Sequence, residues 1–270
     1  MTQSARRLDT VTAGAGAFTL AAMVATPLVP QGGAARRVLS NAVVGGLFVT
    51  TTARSMRRWG AARASVAVAS TALGTGLVER IGTRTGVPFG RYHYTGVLQP
   101  AVGGVPAIVP LAWCAMAVPA REVAHAALGH RSSRVGRVVL GAVALTAWDL
   151  FLDPQMVGEG YWRWTNRGRY RGIPLTNYVG WFLTSLGVMA VLEVALPVDA
   201  DTPGDADTPG DAGADPVLVS EYVGMTALET VGFAAFFGDP VVAAVGGVAA
   251  APIVVGALRT LRLQRRWRHG

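Results

Sequence analysis

The chain has 270 residues, 51% of them hydrophobic and only 15% charged, a balance too apolar for an ordinary soluble domain. Its formal charge is +8, but every basic charge outside four histidines is arginine, set in short clusters between apolar runs. That placement argues for topology signals and lipid head-group contact and against a nucleic-acid surface.

Taking about 20 apolar residues as one bilayer crossing predicts about eight spans and an all-α, polytopic membrane helix bundle. The first span covers Val11 to Val29 behind Arg6 and Arg7. Its apolar stretch is long for a signal peptide and further spans follow, so it reads as an uncleaved helix. The second lies near Val38 to Ala53 and the third near Ala61 to Ile81. Where the third emerges stands ERIGTRTGVPFGRYHYTG, Glu79 to Gly96. Gly82, Gly86 and Gly90 recur every fourth residue, which would allow close helix contact, but Pro88 breaks a helix there. A re-entrant or interfacial loop lining a protein cavity is the expectation. Glu79 and Arg80 bring opposite charges to that level, so a plain interfacial ion pair with tyrosine anchors is one reading. His93, between two tyrosines, reads as an interfacial hydrogen-bonding residue.

The fourth span, Val105 to Leu128, contains Pro106, Pro110 and Pro119, which kink a helix and free carbonyls around a cavity. Trp113 either lines that cavity or packs against a neighbour. The single cysteine, Cys114, reads as a small core residue, and no CxxC or paired Cys/His metal spacing occurs. His125 and His130 read as end-of-helix residues. The fifth span, Val135 to Leu152, carries Asp149 with Asp153 one turn on, and Pro154 predicts that the helix stops there. Trp162, Trp164, Tyr170 and four arginines follow, the composition of a membrane-interface lid. The sixth span covers Pro174 to Leu196. DADTPG then occurs twice, at 199–204 and 205–210, and marks 197–216 as a flexible linker inside a single membrane domain, 1–270. The last spans are Val217 to Phe237 and Val241 to Leu261, followed by a basic tail.

Arginine placement orients this set. With both termini in the cytoplasm, the inner side holds Arg6, Arg7, the Arg54 to Arg63 cluster, Arg121 to Arg137 and the tail. The outer side holds Arg36, Arg37, Arg80 to Arg91 and Arg163 to Arg171, a smaller set, so both ends are placed inside the cell membrane.

Asp149 and Asp153 are the chemical centre of the sequence. An i, i+4 spacing puts them on one helix face, at a depth where an acid is expensive and therefore a functional candidate. One reading pairs them with Arg163, Arg167 or Arg171 in the lid. The other is acid chemistry: two close carboxyls in a poorly hydrated site cannot both ionise, so one keeps a proton. Facing an apolar cavity it can protonate an electron-rich alkene, while a partner carboxylate orients water and aromatic rings stabilise the cation between the steps.

The blocks ERIGTRTGVPFGRYHYTG, GVPAIVPLAW, AWDLFLDPQM, YWRW and GIPLTNYVGW, spread from Glu79 to Glu193, resemble the carotenoid hydratases of the bisanhydrobacterioruberin hydratase type. These are multi-pass proteins also described as carotenoid biosynthesis proteins. The resemblance implies addition of water to a terminal double bond of an acyclic C40–C50 carotenoid, giving a tertiary alcohol. Carried over by position, the acids are Glu79, Asp149 and Asp153. The pocket residues are Tyr92, Tyr94, Trp113, Trp148, Trp162, Asn177 and Trp181. The implied partners are a membrane-embedded carotenoid, the lipid bilayer and other enzymes of the carotenoid pathway. No cofactor is implied, and the sequence carries no dinucleotide or phosphate-binding glycine loop. Two other classes stay open. Asp-x-x-x-Asp resembles half of a magnesium–diphosphate site, as in a membrane prenyltransferase, beside which a carotenoid cyclase also stands. Glu193, Glu221 and Glu229 suit a non-catalytic carotenoid or lipid carrier, or else pair with arginines inside the bundle.

Overall fold

The computed structural model describes residues 2–198 and 213–269, with side chains to Arg262. Both DADTPG repeats therefore lie outside the described residues. Among the described residues the chain forms eight long helices: α1 (Gln3–Ala25, prolonged by a 3-10 turn, Thr26–Leu28), α2 (Ala34–Trp59), α3 (Ala61–Thr85) and α4 (Ile108–Leu128), then α5 (Arg134–Gly158), α6 (Leu175–Ala195), α7 (Pro216–Ala235) and α8 (Pro240–His269). Each of the eight apolar runs lies in its own helix, with the ends displaced, most of all at the start of α1 and the end of α8. Five of them, α1, α3, α5, α6 and α8, are long and apolar enough to cross a membrane. The other three carry charged residues, which buried ion pairs and the bundle interior absorb. The protein is an all-α, polytopic membrane helix bundle.

The helices begin and end on identifiable signals. Ser133 caps α5 by accepting from the Gly136 amide, and Asp215 caps α7 by accepting from the Val217 and Leu218 amides, with Pro216 at the first position. Gly86, in the left-handed region at φ 80°, closes α3. Proline 154 does not end α5 as its position suggested. The helix runs on to Gly158, and the Leu150 carbonyl, four residues before the proline, accepts instead from the Tyr170 hydroxyl at 2.9 Å. A substitute donor removes the cost that normally stops a helix there.

Helix α4 is the axle. Every residue from Trp113 to Ala126 is buried, and α4 packs against α2, α3, α5, α7 and α8. Small side chains let the neighbours approach: Gly246 of α8 lies against the Phe151 ring, where an added Cβ would stand 2.5 Å away. Leucines and valines such as Leu73, Leu77, Val194 and Val248 point outward, the face a hydrocarbon environment would cover.

Buried ion pairs tie one end of the bundle. Arg121 lies between Glu122 (2.8 Å) and Glu193 (2.6 Å) and donates to the Leu196 carbonyl, while Arg137 binds Glu193 from the other side. Arg54 reaches Asp215 at 2.8 Å, and Arg58 reaches Glu122. These contacts bring the ends of α2, α4 and α6 beside the starts of α5 and α7, so the helices alternate up and down. Glu193 thus takes arginine partners. At the opposite end Arg36 pairs with Glu159 at 2.8 Å, and two short β-ladders cap the bundle.

The ladders change the expected re-entrant loop. After α3, β1 (Tyr92–Tyr94) pairs antiparallel with β4 (Trp162–Trp164), and β2 (Ala101–Val102) pairs with β3 (Val105–Pro106). The glycines of this stretch do not share one helical face. Gly82 lets the Phe89 ring lie on α3, whereas Gly86 is the terminator.

Candidate active site

An apolar cavity of about 390 Å³ lies between α1, α2, α3, α4, α5, α6 and α7, beneath the β1–β4 ladder. The ladder supplies its aromatic roof by simple alternation. Tyr92 faces Trp164 and Tyr94 faces Trp162 across the strands, while the intervening His93 and Arg163 point out to the exposed side. YHY and WRW are the same pattern, aromatic–basic–aromatic, written twice. The rings pack at 5.7 Å, Tyr92 on Trp164 at 32° and Tyr94 edge-on to Trp162. The floor is aromatic too: Trp113 and Trp181 stack at 4.0 Å, and Trp148 meets Trp181 edge-on at 6.2 Å. Trp113 therefore both lines the cavity and packs.

Carboxyl groups from two helices, α3 and α5, line this aromatic box. On one wall Glu79 accepts hydrogen bonds from the Tyr92 hydroxyl, from the Tyr94 hydroxyl at 2.7 Å and from Trp113 Nε1 at 3.4 Å. It is held by phenols and an indole, not by Arg80. Burial and the Glu79 charge push both tyrosine hydroxyls up from their ordinary values, so they stay protonated and keep donating. On the other wall Asp153 accepts from Trp162 Nε1 at 3.2 Å and from the Asn177 amide. Asn177 also donates to Asp149 at 3.1 Å, so one carboxamide of α6 joins both aspartates of α5. The lid arginines do not reach them, and Arg171 pairs with Asp239 instead.

The two aspartates differ in what they see. Asp153 lines the cavity; Asp149 is fully buried behind it and does not. The same Asn177 amide nitrogen reaches both carboxyl groups, so the two acids stand close together in a dry site. Two close buried carboxyls do not both ionise easily, which favours one keeping a proton. The second oxygen of Asp149, Oδ1, is buried with no partner. Of the ten residues expected from the sequence, Glu79, Asp153, Tyr92, Tyr94, Trp113, Trp148, Trp162, Asn177 and Trp181 line one cavity, and Asp149 stands in its second layer.

Other lining residues were not singled out as pocket residues. Trp164, Phe89 and Tyr161 complete the aromatic wall, and Gln155, Ser40, Asn41 and Glu229 add polar groups. The WRW alternation was the available signal for Trp164. The polar four come from three different helices, and nothing local in the sequence joins them. At its far end the cavity opens between the end of α1 and the end of α7, past exposed Val24, Leu28, Val231 and Phe236.

The structure is thus a membrane helix bundle that encloses an aromatic, carboxyl-bearing and otherwise apolar cavity, lined at one side by exposed apolar residues. The family described as carotenoid biosynthesis protein matches residues 36–254, and the chain belongs to that family. It is also similar to the bisanhydrobacterioruberin hydratase of Haloarcula japonica, 33% identical over 132 residues, which is 48% of this chain and 44% of the relative. The match thus spans less than half of the relative's length. No solved structure matches the chain.

Proposed function

We propose that the protein is a carotenoid hydratase, a hydro-lyase that adds water to a terminal C=C of an acyclic C40–C50 carotenoid of the bacterioruberin type. The observation that carries this reading is a pair of buried aspartates bridged by Asn177, one of which lines the same aromatic, otherwise apolar chamber as Glu79. The terminal alkene enters with its end against Asp153. Asp153 transfers its proton to the less substituted carbon, and the tertiary cation that forms lies among the faces of Trp113, Trp148 and Trp181. Glu79 accepts a proton from water as the water oxygen bonds to the cation, giving the tertiary alcohol. The proton on Glu79 then returns to the aspartate pair, and the sum is alkene plus water. Ser40, Asn41 and Gln155 give the water polar footholds on a wall that is otherwise hydrocarbon. Asp149 and Asn177 hold the proton and the orientation of Asp153.

The different surroundings of the carboxyls support this division of labour. Asp153 stands against a second buried carboxyl, which favours its holding a proton, while three donors converge on Glu79, as suits an acceptor. The membrane proposed is the cell membrane, with both termini cytoplasmic, supported by the excess of arginine on that side. The test is expression in a host making acyclic carotenoids, followed by mass analysis of its pigments. Hydration is expected to add the mass of one water per modified end. Unchanged mass with ring formation points to cyclisation instead, and unchanged pigment sinks the proposal.

A further inference from the structure

A second cavity, about 460 Å³, lies along α1, α2 and α7 toward the ion-paired end. It shares Met23, Leu47, Met225 and Leu228 with the chamber, so the two cavities adjoin and together outline one groove. On α1 the groove runs from Asp9 to Leu28, which at 1.5 Å per residue is about 28 Å, close to the hydrocarbon thickness of a bilayer. Its middle is apolar and its far end is polar. Glu221 lines that end, accepting from Thr51 Oγ1 at 3.0 Å through one oxygen, while its other oxygen is buried without a partner. Asp9, Arg54 and Ser220 stand beside it. Gly16 and Gly224 line the groove with open space where a side chain would begin. A groove of that length, with acid chemistry at one end and an unmet acceptor at the other, fits a rod and not a compact lipid.

We propose that this groove is the binding track for the whole polyene: the reacting end lies in the Glu79–Asp153 chamber, and the far end lies beside Glu221, which accepts a hydrogen bond when that end carries a hydroxyl. The track makes the protein a length-selective binder. This inference rests on the hydratase reading for the identity of the reacting end, but not for binding.

The open space around an added Cβ at Gly224 and Gly16 makes these two positions suitable for a test. Purified protein in nanodiscs is compared with Gly224→Phe and Gly16→Phe, using a forty-carbon acyclic carotenoid and a twenty-carbon acyclic isoprenoid with the same terminal group. The plugged variants are expected to lose retained forty-carbon pigment by about tenfold or more while hydrating the twenty-carbon compound as before. Glu221→Leu is expected to weaken binding of the hydroxylated pigment and not of the hydrocarbon one. Equal retention of the long pigment by plugged and parent protein overturns the track, as does a parallel loss of both compounds. A parent that binds the long pigment but hydrates neither compound overturns the hydratase reading and leaves the track standing.

Discussion

Asp153 and Glu79 line one cavity from different helices and, on the proposed mechanism, should fail differently when altered. Asp153→Asn removes the proposed proton donor, so turnover should fall by about 10²–10⁴-fold, with the pigment still bound. Glu79→Gln leaves that donor in place and removes the proposed base for water. In deuterated water that variant should place deuterium in the carotenoid end group without adding a hydroxyl, because the cation loses a proton again. Asp153→Asn should show neither. Mass spectrometry of the recovered pigment separates the two, and deuterium uptake by Asp153→Asn would reverse the assigned roles. Asp149 was read in the sequence as the equal of Asp153. A spacing of four residues says that two side chains share a face, but not which of them the neighbouring helix covers. Asn177 of α6 covers Asp149 and leaves Asp153 at the cavity.

At the scale of elements, the β1–β4 ladder and the arginine–glutamate network hold the bundle at its two ends. Gly180 of α6 lies under the loop before β1, where an added Cβ would stand 2.8 Å from the Phe89 ring and 2.9 Å from the Pro88 backbone. Gly180→Ala should therefore destabilise by about 1–3 kcal/mol, visible as a lower midpoint of thermal unfolding in detergent. Arg121→Leu leaves Glu122 without a partner that is fully buried beside it and halves the arginine support of Glu193. Leaving a buried charge short of its partner costs about 3–5 kcal/mol, so this variant should lose far more than Gly180→Ala in the same measurement. An unchanged midpoint would show that the network adds little. Helix extents were legible because each follows from a local apolar run. The ladder was not, since it joins Tyr92 to Trp164 across 71 intervening positions and two helices.

For the molecule as a whole, the path of the substrate is set by where the bundle is left open. The chamber reaches the outside past Val24, Leu28, Val231 and Phe236, all exposed and all apolar, on the side that hydrocarbon would bathe. Leu28→Asp and Phe236→Asp place charges at that mouth, each costing about 2.5–3.5 kcal/mol at full membrane depth and less near the interface. Their expected effect is a raised KM for a long carotenoid with kcat unchanged, since neither residue touches the reacting carbons. A fall in kcat alone would move the entrance elsewhere.

The sequence alone determined the class of molecule, the eight helices and the presence of deep acids among aromatic residues, because hydropathy and spacing act over a few turns of one chain segment. It also carried the family resemblance, since those blocks are read in order along the chain. Only the tertiary structure decided that Glu79 of α3 and Asp153 of α5 line one cavity, that Asp149 stands behind, and that two adjoining cavities run along α1 and α7. Those are choices of helix rotation and packing. They depend on which small residue lets which ring approach, and no single segment contains that information.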